Sequence, residues 1–396
     1  MKDYKRTIAA CFVGFFVQAI VINYAPLLFV MFSGVYDISL GKIALLVSFN
    51  FGLQLLTDAA AAAFVDRIGY KASVVLAHGL AGVGLLGLCV LPEVMPNAFA
   101  GLLLSTSIYA VGGGLLEVLL SPIVDACPAE NKEKAMSMLH SAYSWGVVAV
   151  VLLSTLAIRL FGMEHWRWYA VAWAAVPLLN GVAFLLAPMP PPHTQHASVH
   201  AFLNLFKNGE FWLFALIMLC AGATEQAAAQ WASAYAETAL GIPKTIGDVA
   251  GPAFLCAVMG FFRSFYGKFG DKLPLRKYLF VCCGIGIVSY VLIAASPWAW
   301  LGIVGFGLCG VGAAVMWPGT FSVAAQKMPN GGTALFALLA LFGDMGCALG
   351  PQLVGSVAEH AGDNLRLGMY TGAVFPLLLA VGMALQGIHR KRRTEI

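Results

Sequence analysis

Charge is scarce in this chain. Only 11% of its 396 residues are Asp, Glu, Lys or Arg, and 60% are hydrophobic. A soluble domain carries about 25% charged residues, so an ordinary water-soluble domain is excluded. There is no phosphate-binding glycine loop, which excludes ATP as an energy source, and neither Gly-x-Ser-x-Gly nor His-Glu-x-x-His occurs. Nothing points to hydrolytic or redox chemistry, so the chain is expected not to be an enzyme and to need no cofactor or metal. The nine cysteines (Cys11, Cys89, Cys127, Cys220, Cys256, Cys282, Cys283, Cys309 and Cys347) fall mostly in apolar runs without metal-ligand spacing. They read as small buried hydrophobes. A net charge of +4 is too small to indicate a nucleic-acid partner, and none is expected.

What the chain has instead is long apolar runs. A bilayer core is crossed by about 20 apolar residues in a helix. Twelve such runs occur, at roughly 7–32, 41–64, 72–91, 97–121, 136–160, 167–188, 210–234, 247–268, 278–296, 299–324, 332–357 and 367–388. The first is too long for a signal-peptide core and has no small-residue cleavage site after it, so it is expected to be retained. An even number of spans puts both termini on one side. Of the 23 Lys and Arg residues, 17 lie on that side, 5 on the other, and Arg263 inside a span. The excess places both termini in the cytoplasm. The expected location is a cell inner membrane, with lipid as the surrounding partner.

Residues 189–209, MPPPHTQHASVHAFLNLFKNG, form the longest polar connection and separate six spans (1–188) from six (210–396). Its Pro-rich start reads as a stiff cytoplasmic linker, and His193, His196 and His200 as solvated linker residues rather than a metal site. The halves repeat. Asp66-Arg67-Ile-Gly69-Tyr-Lys71 follows span two, and Gly270-Asp271-Lys272 follows span eight, the aspartates being 205 residues apart. Pro122 and Pro318 are 196 apart in spans four and ten. Two such halves are a secondary-transporter architecture. The Asp-Arg-x-Gly-x-Lys turn, with twelve spans and the half repeat, resembles the major facilitator superfamily. The turn lacks the opening glycine usual there, and Tyr70 stands where a basic residue is common. The resemblance implies an all-α membrane fold of two pseudo-symmetric six-helix bundles. It also implies a conformational latch at Asp66, Arg67, Lys71 and Asp271. The alternative for these charges is topology alone.

A polar side chain inside a span is expensive and tends to face the bundle interior. Span one offers Gln18 and Asn23 but no acid. Span two places Asn50, Gln54 and Asp58 at i, i+4 and i+8, on one face; helix–helix glue is the plainer reading of the amides. Asp58 reads as part of the charge network at the turn. In span four, Gly112, Gly113 and Gly114 precede Glu117, which lies eight residues before Asp125, about 12 Å at 1.5 Å per residue. Span five carries Ser137, His140, Ser141 and Ser144 as a stripe, so that His140 is a candidate partner for Glu117. Such a pair suits proton carriage, and a structural ion pair is the alternative. Span seven holds Glu225, Gln226 and Trp231, a set suited to sugar hydroxyls and a sugar's apolar face, although an interfacial belt is an equal reading for Trp231. Asp344, among glycines in span eleven, is a further candidate coupling acid. Arg263, close to the end of span eight, is expected to snorkel to water. His78 reads as a hydrogen-bonded core histidine.

Glu117-x-x-x-x-Pro122, the His140-Ser141-x-Tyr143-x-x-Gly146 start of span five, and Gly222-Ala-Thr-Glu225…Trp231-x-x-x-Tyr235 resemble the fucose–galactose–glucose–proton symporter family. That resemblance implies a coupling role for Glu117. The fucose symporter type also carries a span-one aspartate, which this chain lacks.

The residues favour a secondary transporter importing a small polar solute, a sugar above all. The coupling cation is H+ or Na+, alternating access joins the two halves, and the functional unit is a monomer. Efflux of drugs or metabolites by proton antiport is the alternative. Drug antiporters commonly carry Gly-x-x-x-Gly-Pro in span five, whereas here Gly346…Gly350-Pro351 is in span eleven. A receptor on the same fold would normally add a soluble signalling domain, and no connection is long enough for one.

Overall fold

The computed structural model describes residues 4–38, 40–128, 131–190, 205–243, 246–247, 249–362 and 364–394. The described residues are helical throughout, with no strand among them. Eleven helices among them are long and apolar enough to cross a membrane. The stretch expected as span two is a further helix, Leu40–Ile68, of 29 residues. Helix is the only open form in which an apolar run satisfies all its N–H and C=O groups without water. The remaining spans begin with Lys5–Asn23, Tyr70–Val94, Ala98–Ala126, Lys132–Phe161 and Trp166–Leu186. Gly209–Thr238, Phe254–Phe269 and Leu275–Ala295 form spans seven to nine, and Gly332–His360 forms span eleven.

A proline lies at or just after each break in the expected runs, although Pro92, Pro122, Pro177 and Pro351 sit inside unbroken helices. Span one stops at Asn23 and continues through a 3-10 turn, Ala25–Leu28, that contains Pro26. Span eight is entered through a π turn, Val249–Ala253, around Pro252. Span ten is two helices, Ala299–Ala313 and Met316–Lys327, parted just before Pro318. Span twelve is parted at Ala373, between Leu365–Gly372 and Val374–Thr394, three residues before Pro376. In each case the ring lacks an N–H and crowds the preceding turn. Asparagines cap several starts: Asn97 Oδ1 accepts from Phe99 N at 2.9 Å, and Asn208 Oδ1 from Glu210 N at 3.0 Å.

The chain packs as two compact units. One comprises residues 1–129, 142–202 and 332–337; the other comprises 130–141, 203–331 and 338–396. In the first unit, the three glycines before Glu117 face three different helices, as the ~100° step per residue requires. A Cβ on Gly112 would stand 2.6 Å from Ala81 N of span three. One on Gly113 would stand 2.9 Å from Val21 of span one, and one on Gly114 3.0 Å from the Gln54 carbonyl of span two. Small residues thus bring the backbones of spans two and three, and the side chains of span one, against span four.

In the second unit, spans seven and eleven cross in the same way. A Cβ on Gly346 would collide with the Leu219 carbonyl oxygen and stand 3.0 Å from Ala223 N. Both are backbone atoms that cannot rotate aside. Gly346→Ala is therefore expected to destabilise the fold by at least the roughly 1–3 kcal/mol of core overpacking. Gly284→Ala in span nine, with nothing within 4 Å of the added methyl, is expected to be neutral or mildly stabilising. Thermal unfolding of the purified pair checks this; equal melting temperatures would contradict the crossing.

Candidate solute and cation site

The first unit gathers four of the polar residues singled out in its spans. Gln54 donates through Nε2 to Asn50 Oδ1 at 3.1 Å, one turn away on span two. Gln18 of span one donates from Nε2 twice, to Gln54 Oε1 at 2.8 Å and to Glu117 Oε2 at 3.0 Å. Both N–H groups of that amide are thereby used. Its Oε1 is buried and has no hydrogen-bond partner. The absent side chain at Gly113 is what admits Gln18, since a Cβ there would stand 3.0 Å from that oxygen. Glu117 itself is half-buried, while Asn50, Gln54 and Gln18 are buried. Asn23 lies outside this group and donates to the Ala19 carbonyl of its own helix at 2.9 Å. Asp58 is fully buried at the far end of the same face of span two.

The second unit holds a buried ion pair. Arg263 Nη2 is 2.9 Å from Glu225 Oε2, with the two side chains 2% and 9% exposed. Arg263 therefore does not snorkel, contrary to the expectation from its place near the end of a span. Cα–Cβ bonds tilt toward a helix's N-terminus, so a side chain near the C-terminal end leans back into the bundle. Its Nε donates to the Ala314 carbonyl at 2.8 Å. That carbonyl lies four residues before Pro318, which has no N–H to return to it. Arg263 supplies the missing donor. Its Nη1 donates to the His140 carbonyl at 3.3 Å, and Ser137 Oγ donates to the Arg263 carbonyl at 2.8 Å.

The remaining candidates are more dispersed. His140 packs in the second unit, its ring 5.8 Å from that of Phe321. Gln226, next to Glu225, is partly exposed. Trp231 donates from Nε1 to the Pro351 carbonyl at 2.9 Å and lies against Gly355, so its indole tightens spans seven and eleven. Asp344 is half-buried at that glycine crossing, between Gly343 and Gly346. His78 is a satisfied core histidine. Its Nδ1 lies 2.7 Å from the Val74 carbonyl and its Nε2 2.8 Å from Asn180 Nδ2, which makes the ring neutral with Nδ1 as donor.

At the turns, Gly69 takes φ +89°, the left-handed region that favours glycine, and this is why the Asp-Arg-x-Gly turn needs one. Lys71 Nζ donates to the Ala187 carbonyl at 3.2 Å, and Arg67 is exposed. The Asp66 side chain lies outside the described residues, as do His193, His196 and His200. Asp271 pairs with Lys134 and accepts from Asn131 Nδ2 at 2.7 Å. No cluster of metal-ligating side chains occurs among the described residues.

The sequence profile of the Major Facilitator Superfamily matches residues 8–351. The chain belongs to that superfamily. As a major facilitator protein it is a multi-pass membrane transporter and not an enzyme. Membrane protein MosC of Rhizobium meliloti is 22% identical over 341 residues, covering 84% of this chain and 78% of MosC. The crystal structure of the E. coli fucose:proton symporter FucP superposes with TM-score 0.80 at 16% identity, covering 97% of this chain and 99% of FucP. The human organic anion transporter MFSD10 superposes with TM-score 0.76 at 16% identity, covering 97% of this chain and all of MFSD10. Likenesses so remote fix the major facilitator fold, and solutes as different as a sugar and an organic anion share it.

Proposed function

We propose that this protein is a secondary active transporter that carries a small polar solute, a sugar, across a cell inner membrane by symport with a proton or sodium ion. The carrying observation is the amide network that ends on Glu117. Three amides and one carboxylate, from three helices, form a single hydrogen-bonded line with an unused buried acceptor on Gln18. A buried acceptor left unmet costs about 1–3 kcal/mol, and a solute hydroxyl meets it. Amides and carboxylates recognise neutral polyols in this way, and FucP, of the same fold, is by its description a sugar:proton symporter.

Where the fucose symporter type has a span-one acid, this chain sets Gln18 against Glu117. The line therefore holds one carboxylate, which suits one cation per cycle. Glu225 is paired with Arg263, while Glu117 is the carboxylate on the amide line, and this makes Glu117 the better coupling group. Both termini are cytoplasmic, the chain works as a monomer, and residues 1–188 and 210–396, joined by 189–209, alternate access. Asp271 with Lys134 serves as a latch on the cytoplasmic side.

Uptake of a labelled hexose panel into proteoliposomes, with and without an imposed proton or sodium gradient, tests the reading. One or more hexoses should accumulate under one of the two gradients. Outward pumping of a cationic dye with no hexose taken up under either gradient would replace import by efflux.

A further inference from the structure

Arg263 touches more of the second unit than an ion pair requires. Its guanidinium reaches Glu225 on span seven, the Ala314 carbonyl at the break in span ten, and the His140 carbonyl near the start of span five. Its own carbonyl receives Ser137 Oγ, so one residue meets span five twice, three residues apart. The guanidinium is planar and its five N–H groups are fixed in one fork, so the plane cannot turn toward one acceptor without leaving another. Glu225 is the charged acceptor of the three, and the charge-assisted bond is the strong one.

We infer that Arg263 is a positioning residue of transport: it holds the start of span five, around Ser137–Ser141, to the second unit for as long as Glu225 anchors its guanidinium. A solute hydroxyl that takes over the Glu225 carboxylate turns the fork and releases the His140 carbonyl. Occupancy of span seven is thereby reported to span five. This inference rests on the transport reading above, but its test needs no solute.

The test is amide hydrogen exchange on the full chain in lipid nanodiscs. Peptides covering Met136–Ser144 should exchange at least tenfold faster in Arg263→Gln and in Glu225→Gln than in the parent, with peptides from span three unchanged. Arg263→Lys, which keeps the pair but has no fork, should fall between. Pro318→Ala returns an N–H donor to the Ala314 carbonyl. In the Arg263→Gln background it should raise the melting temperature yet leave the Met136–Ser144 peptides fast. Full recovery of protection in that double variant would reduce Arg263 to a plug for the break in span ten. Unchanged protection in Glu225→Gln would also overturn the inference. If Arg263→Gln fails to fold, Glu225→Gln and Arg263→Lys still decide it. A hexose panel without uptake would sink the sugar reading and leave these exchange rates as they are.

Discussion

Arg263→Met is expected to destabilise the folded chain by about 3–5 kcal/mol, the usual result of removing one partner of a buried ion pair. Methionine fills much of the same volume, so the loss is mainly electrostatic. Glu225 is left as a buried carboxylate facing an apolar side chain, and the Ala314 carbonyl loses the donor it needs because of Pro318. The two losses separate by design. Adding Glu225→Leu removes the stranded charge, and apolar replacement of a whole buried pair is often neutral. The double variant should recover most of the stability. It should stay below the parent by about 1–3 kcal/mol, the cost of the orphaned carbonyl. Adding Pro318→Ala should recover part of that remainder. Equilibrium unfolding in detergent across the four proteins checks the order, and a double variant no more stable than Arg263→Met would contradict it.

Much of the fold was legible because the bilayer leaves a chain few choices. Runs of about 20 apolar residues must be helices, and each expected span is helical, spans one, eight, ten and twelve in more than one piece. The breaks in spans one, eight, ten and twelve were not drawn from run length, since hydropathy does not register a missing N–H. Pro26, Pro252, Pro318 and Pro376 lie at those breaks, but Pro92, Pro122, Pro177 and Pro351 sit inside unbroken helices, so a proline alone does not mark one. The first cluster was half legible. The i, i+4 spacing of Asn50 and Gln54 put both on one face, and the three glycines before Glu117 announced a close approach. That Gln18 would be the residue to arrive depended on the crossing of spans one and four, which spacing along one helix cannot specify.

Arg263 departs from the snorkelling expectation for a general physical reason. Counting residues from the end of a span treats a long cation as free to reach either way, but its Cβ points toward the helix's N-terminus. Near a C-terminal end that direction is inward. Pro318 was the second signal, because a proline inside a span demands a donor for the carbonyl four residues earlier. An arginine with no stated use two spans away was available to give it. The same lesson applies to Trp231. Its place in the chain fits an interfacial belt or a sugar platform equally, while its N–H is spent on Pro351 and its ring on Gly355.

Glu117 is the group proposed to couple solute to cation, and Glu117→Gln tests that role most directly. Glutamine keeps the size and an acceptor oxygen for Gln18 but can neither lose a proton nor offer a negative charge to sodium. In the parent, an inward proton gradient of two pH units drives a neutral solute symported with one proton to about a 100-fold accumulation, since each tenfold ratio is worth about 1.4 kcal/mol. A 100-fold sodium gradient would do the same for sodium. The measurement is proteoliposome uptake of the solute found in the hexose panel, read both as gradient-driven accumulation and as counterflow exchange without a gradient. Accumulation in Glu117→Gln should fall to a ratio of about one while counterflow stays within a few-fold of the parent. Undiminished accumulation would remove Glu117 from coupling, and equal loss of both activities would make it a binding or structural residue instead.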